Sequence, residues 1–202
     1  NRFVPVGVTY KAGETYPNYH KFRYSGEKCI DQTRVVLKNR GKDSDFIHAN
    51  WVGSPAPGAI KYICTQAPLK ETQEDFWHMC FTEKVSLILM LCNFTEGSIL
   101  ADFETSSHYF PEKKNETLKF GSYTVTMKDK LKEPEIEKTE FTVMEIKYIV
   151  SCDIGWTFAL RSRPNPFSSY GVAVLCAAGV GRAPTFAGIE LAAHRIASKP
   201  EM

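Results

Sequence analysis

Two residues near the end of the chain carry the types and spacing for phosphate chemistry. Cys176 and Arg182 stand six positions apart and enclose Ala177, Ala178, Gly179, Val180 and Gly181. A thiol at the start of such a loop and a guanidinium at its end would set sulfur below a phosphorus atom and a bidentate fork on two of its oxygens. The glycines let the loop curl, so that several of its backbone amides can point at one place. If a helix begins there, its N-terminus adds partial positive charge. The same amides and dipole would favour a thiolate, the nucleophilic form of cysteine. On spacing alone, a buried structural cysteine followed by a surface arginine is the better description. The nucleotide loops GxGxxG and GxxxxGK do not fit, because no lysine follows the last glycine.

The surrounding elements turn that reading towards an anion site. Val172 to Leu175 is a continuous apolar run that predicts a buried strand, and Phe186, Ile189, Ala193 and Ile196 recur at helical spacing. Further strands are predicted at Thr33 to Leu37, Phe46 to Val52, Tyr62 to Thr65 and Ser86 to Cys92. The first is followed by a polar turn at Asn39 to Ser44, and the Gly53 to Gly58 loop separates the second and third. Asp75 to Thr82 has Phe76, Met79 and Cys80 on one helical face. Tyr123 to Met127 and Phe141 to Tyr148 alternate like strands, and their Lys/Glu-rich connection is expected to be a solvated hairpin loop. Residues 1 to 28 lack periodicity and are expected to form an irregular arm. The fold class that follows is α/β or α+β, a central twisted mixed sheet flanked by helices with the Cys-x5-Arg loop between a buried strand and a helix N-terminus.

Composition narrows the partners. At 202 residues and 43% hydrophobic content, the chain suits one domain spanning 1 to 202 with an ordinary core. Its 25 basic and 23 acidic side chains give a net charge of +2, which provides no global attraction for nucleic acid or an anionic membrane. Any anion site must be local. The longest apolar stretches, Val85 to Leu91 and Val172 to Cys176, fall far short of the roughly 20 residues of a membrane span, and no secretory signal pattern opens the chain. The chain begins at Asn1 without a Met, so a targeting segment removed upstream is compatible with it. Cysteines 29, 64, 80, 92, 152 and 176 form no C-x-x-C pair and sit mostly in apolar runs, as reduced core cysteines of a cytoplasmic protein do. No metal or cofactor is expected. The sequons at Asn93 and Asn115 are read as incidental.

The segment Val174-Leu-Cys-Ala-Ala-Gly-Val-Gly-Arg-Ala-Pro-Thr-Phe186 resembles the protein tyrosine phosphatase signature, His-Cys-Ser-Ala-Gly-x-Gly-Arg-Thr-Gly-Thr-Phe. Asp31-Gln-Thr-Arg-Val-Val-Leu37, Asp45-Phe-Ile-His-Ala-Asn50, Tyr62-Ile-Cys-Thr-Gln-Ala-Pro-Leu69, Thr72-x-x-Asp-Phe-Trp77, Ile88-Leu-Met-Leu-Cys92 and Tyr109-Phe-Pro111 follow the family's order. The likeness covers nearly all of residues 21 to 197 and separates the chain from other Cys-x5-Arg phosphatases. It implies that Cys176 is the phosphocysteine-forming nucleophile, that Arg182 binds equatorial oxygens, and that the amides of residues 177 to 182 complete the cradle. It further implies that Tyr24 stacks on phosphotyrosine, that Glu96 fixes Arg182 through an ion pair, and that Asp75 and Trp77 form the fold. The implied partner is a phosphotyrosine-containing protein or peptide.

Departures from the signature fall on parts that make turnover fast. Leu175 replaces the histidine before the nucleophile, Ala183 replaces the hydroxyl after the arginine, Pro184 replaces a glycine, and no lysine lies between Glu96 and Tyr109. Trp156-Thr-Phe158 stands where the family has Trp-Pro-Asp, without the acid, and Asp153 precedes it. Losing that proton donor costs roughly 10²–10⁴-fold against a tyrosine leaving group. Only 19 residues separate Trp156 from Cys176, with Pro164 and Pro166 among them, and the chain stops at Met202, before the family's closing helices. The reading is a degenerate phosphatase-like domain, its C-terminal part missing, that binds phosphotyrosine with impaired or absent dephosphorylation. An active phosphatase represented by an incomplete sequence, and a scaffold without a phosphate site, stay open as alternatives.

Overall fold

The computed structural model describes residues 6–53, 61–97, 101–133, 136–143, 146–151 and 171–197. The irregular arm holds one short helical turn, α1 (Lys11–Glu14), and a 3-10 turn at Asn18–Lys21. After it come β1 (Arg34–Val36), β2 (Phe46–Gly53), β3 (Lys61–Gln66), α2 (Gln73–Thr82) and β4 (Val85–Met90). Two three-residue strands, β5 (Thr95–Gly97) and β6 (Asp102–Glu104), pair as a separate ribbon. The chain continues through β7 (Thr117–Phe120), β8 (Tyr123–Glu133), β9 (Ile136–Val143) and β10 (Ile146–Ser151). It closes on β11 (Gly171–Cys176) and α3 (Arg182–Ala197).

Nine strands form one mixed sheet in the order β1-β2-β3-β11-β4-β10-β9-β8-β7. The centre is parallel, β11 lying between β3 and β4 with β10 beyond, and the outer strands are antiparallel. A parallel strand flanked on both sides is buried on both faces, which is why Val172 to Cys176 is apolar throughout. Alternation then sorts its side chains. Ala173 and Leu175 face the core beneath α2, with Phe76, Trp77, Met79 and Tyr109, whereas Val172, Val174 and Cys176 face Ala183, Phe186 and Ala187 of α3. The sheet is thus flanked by helices, as the sequence predicted.

One expectation is corrected. The Lys/Glu-rich stretch after Met127 is not a loop: β8 runs to Glu133, β9 begins at Ile136, and the two pair from Val125↔Val143 to Glu133↔Ile136 with a register shift between Met127 and Asp129. Phe141 to Tyr148 is likewise two antiparallel strands, with Phe141 opposite Tyr148. Backbone pairing satisfies the ladder whatever the side-chain charge, so a charged stretch can be a strand without an apolar alternation to announce it. The expectations for Asn1-Arg-Phe3, Cys152, Asp153 and Trp156 to Phe158 lie outside the described residues.

Candidate active site: a phosphate cradle

Cys176 is the last residue of β11 and lies at the carboxyl end of the central parallel strands, where open α/β sheets place their ligands. Its own carbonyl accepts the Ala67 amide at 2.8 Å, and the carbonyl of Leu175 accepts the Leu91 amide at 2.8 Å. Strands on both sides therefore fix the start of the loop. The Cys176 side chain is buried at the base of this loop, the residue being 2% exposed.

Beyond it the chain turns through Gly179, whose φ of +75° belongs to the left-handed region that favours glycine. A Cβ at this position would lie 2.4 Å from the Gln66 backbone nitrogen, so the loop rests directly on the end of β3. Among the described residues, none of the five backbone N–H groups of residues 177 to 181 has a hydrogen-bond acceptor. Ala177 to Gly179 are buried or half-buried, and amides left in this state cost free energy that an anion would recover, whereas Val180 and Gly181 are exposed. The 16-residue helix α3 starts at Arg182 and adds its positive end to the same point.

Arg182 is held by Glu96. Its two terminal nitrogens donate to Glu96 Oε1 at 2.5 Å and Oε2 at 2.8 Å, a fork-on-fork pair across 86 residues of sequence. Hydrogen bonding to Arg182 keeps the Glu96 carboxyl below the usual carboxylate range, and the same bonds raise Arg182 above its ordinary value. The Asn93 amide donates to Glu96 Oε1 at 3.3 Å, and the β5–β6 ribbon, with Glu96 opposite Phe103, supports the carboxylate from behind. An open groove of about 480 Å³ lies beside the pair, lined by Met90, Leu91, Cys92, Asn93, Thr185, Phe186 and Ile189.

Tyr24 is 38% exposed and sits on the arm next to Arg23, whose guanidinium donates to the carbonyls of Ala67, Pro68 and Glu104 at 3.3, 3.0 and 3.1 Å. The structure therefore draws Cys176, Arg182, Glu96 and the arm carrying Tyr24 to the same end of the sheet. Asp75 and Trp77 lie elsewhere, in structural bonds: Asp75 accepts from Lys21 at 2.8 Å and pairs with Arg40 at 3.0 Å, and the Trp77 indole donates to the Tyr109 carbonyl at 2.8 Å.

Three other thiols are packing groups. Burial pushes Cys64 and Cys92 each up to about 12, and Cys29 up to about 11, so these remain protonated packing groups. Leu175 is fully buried in the same apolar cluster as Met90 and Tyr109, whose hydroxyl is within 3.6 Å of the Met90 sulfur. Ala183 is equally buried and offers no hydroxyl to Cys176. Sequence reasoning missed Gln66, the residue on which Gly179 rests. The available signal was a polar side chain closing an otherwise apolar strand.

A family model of the protein-tyrosine phosphatase matches residues 18–153, more than half of the chain. The chain belongs to the protein tyrosine phosphatase family. It is 32% identical over 201 aligned residues to the protein tyrosine phosphatase-like protein egg-3 of Caenorhabditis elegans, covering 85% of this chain and 36% of that protein. It is 38% identical over 125 residues to human tyrosine-protein phosphatase non-receptor type 9, covering 60% of the chain and 20% of that protein. Human receptor-type tyrosine-protein phosphatase C matches at 30% over 197 residues, 86% of the chain and 15% of that protein. The chain thus spans little more than a third of the first of these relatives and a fifth or less of the others. No helix among the described residues of this phosphatase-family chain is long and apolar enough to cross a membrane.

Proposed function

We propose that this domain binds phosphotyrosine in proteins or peptides through the loop from Cys176 to Arg182 and hydrolyses it slowly or not at all. The observation that carries the reading is the set of five loop amides without acceptors, placed above a buried thiol and beside an arginine already oriented by Glu96. Such an array is complementary to a tetrahedral dianion and needs little reorganisation to receive one. Tyr24 supplies an aromatic wall for the phenyl ring. In the reaction itself, the Cys176 thiolate would attack phosphorus and form a P–S bond while the P–O bond to tyrosine breaks. The leaving phenolate would then need a proton, and water would hydrolyse the P–S bond.

Poor turnover is supported by Leu175 and Ala183, which put apolar groups where the signature has polar partners for the nucleophile. It is also supported by the absence of an aspartate at the third position of Trp156-Thr-Phe158. One relative carries the words phosphatase-like in its name, in keeping with a binding role. Reduced, buried cysteines suit a cytoplasmic location. A second reading, an active phosphatase, is favoured by the intact Glu96–Arg182 pair. A turnover assay with a phosphotyrosine peptide, comparing the chain with its Cys176→Ser variant, separates the two. Phosphate release indistinguishable from the variant is expected; robust Cys176-dependent turnover makes the second reading correct.

A further inference from the structure

Gln66 is the residue shared by the loop floor and the arm. On the floor side it pairs with Cys176 in the β3–β11 ladder, and its backbone nitrogen lies directly beneath Gly179. On the arm side its carboxamide uses both ends: Oε1 accepts the Arg23 amide at 3.1 Å and Nε2 donates to the Lys21 carbonyl at 2.6 Å. These two acceptor and donor groups bracket Phe22 and stop one residue short of Tyr24. Gln66 is itself buried, so its amide is rigidly placed and has no water to exchange with.

From this geometry we infer that Gln66 is a positioning residue, which sets the height of Tyr24 above the loop floor and thereby adapts the site to a phosphorylated phenol. The inference rests on the phosphotyrosine reading above. Other bonds hold the arm: Lys21 Nζ donates to the Phe46 carbonyl at 2.8 Å, Phe22 stacks on Phe46 at 5.6 Å, and the Arg23 guanidinium reaches the loop after β3. Those contacts fix the arm to the body of the domain. Gln66 both bonds the arm and lies beneath Gly179. Tyr24 stacks on no other ring among the described residues, so its placement depends on its backbone. A stacking wall that drifts by an ångström loses most of its contact with a flat ligand, whereas a small tetrahedral anion seated on the loop amides does not notice.

The test measures binding of inorganic phosphate and of a phosphotyrosine peptide to the whole chain, its Gln66→Ala and Gln66→Glu variants, Tyr24→Ala, and the Gln66→Ala/Tyr24→Ala double variant. Loss of a clasp of this kind should weaken the peptide about tenfold in Gln66→Ala and change phosphate by less than about twofold. Gln66→Glu keeps the shape of the side chain and the acceptor for the Arg23 amide but sets a carboxylate oxygen against the Lys21 carbonyl, and should weaken the peptide at least as much as Gln66→Ala. In the Tyr24→Ala background the Gln66→Ala change should have little further effect, because the two act through one contact. Equal weakening of phosphate and peptide in Gln66→Ala would mean that Gln66 only supports the loop and would overturn the inference. Independent, additive losses in the double variant would do the same. A chain that binds phosphate but no phosphotyrosine peptide, or neither, fails the phosphotyrosine reading itself, and the inference falls with it.

Discussion

Gly179 shows how little freedom the loop has at the residue scale. An alanine there combines a positive φ with a Cβ 2.4 Å from the Gln66 nitrogen and 2.7 Å from the Thr65 carbonyl carbon, and backbone cannot step aside as a side chain can. Gly179→Ala should cost at least about 2 kcal/mol and abolish phosphate binding, read as a lower melting temperature with no stabilisation by added phosphate. A second residue makes acid stability specific. His48 is 3% exposed, its Nε2 has no hydrogen-bond partner among the described residues, its ring meets Phe22 edge-on at 4.7 Å, and burial lowers it to about 4. The folded state refuses a proton that the unfolded chain takes up below its ordinary value near 6.5. The stability held above pH 6.5 is therefore lost progressively as pH falls towards 4, by roughly 3 kcal/mol. Melting curves between pH 7 and 4.5 should flatten in His48→Gln relative to the unsubstituted chain. Cys176 and Arg182 were legible in the sequence because chemistry dictates their types and spacing. Glu96 was legible only through likeness to a family, since its partner is 86 residues away. Gln66 and His48 were not, because a polar group inside an apolar strand gives no sign of what it touches.

Among the elements, the arm is the least obvious in sequence and among the best secured in space. Asp31 caps its first turn, accepting from the amides of Lys11 and Ala12 at 2.7 and 3.0 Å, and Asp75 on α2 holds Lys21. Asp75 is largely buried and satisfies both Lys21 and Arg40. Asp75→Ala leaves two cations without their shared carboxylate and should cost about 3 kcal/mol, seen in the urea midpoint, with faster proteolysis between residues 6 and 24. No periodicity marks the arm because its order comes from side chains docking on β2, β3 and α2. The central strands and the helices α2 and α3 were readable from their apolar patterns. The β8–β9 pair was not, because Lys128 to Glu133 has the composition of a solvated loop and is held by ladder pairing instead.

Across the whole molecule, topology explains why the elements of the proposed site converge on one short loop. Parallel pairing of β3, β11 and β4 brings their carboxyl ends together, so that the Ala67 amide is bonded to the Cys176 carbonyl, the Leu91 amide to the Leu175 carbonyl, and three loops meet at one edge. α3 then starts at that edge with its amides towards the ligand, and the β5–β6 ribbon delivers Glu96 from the adjacent loop. In the proposed function binding and catalysis separate: the sheet and α3 would build the anion site, while proton supply and water activation would depend on other segments. Calorimetric titration of a phosphotyrosine peptide into the chain and into Arg182→Ala tests this most directly. Saturable one-to-one binding that Arg182→Ala abolishes is the expected result; no binding to the unsubstituted chain, or equal binding to both, would contradict the account.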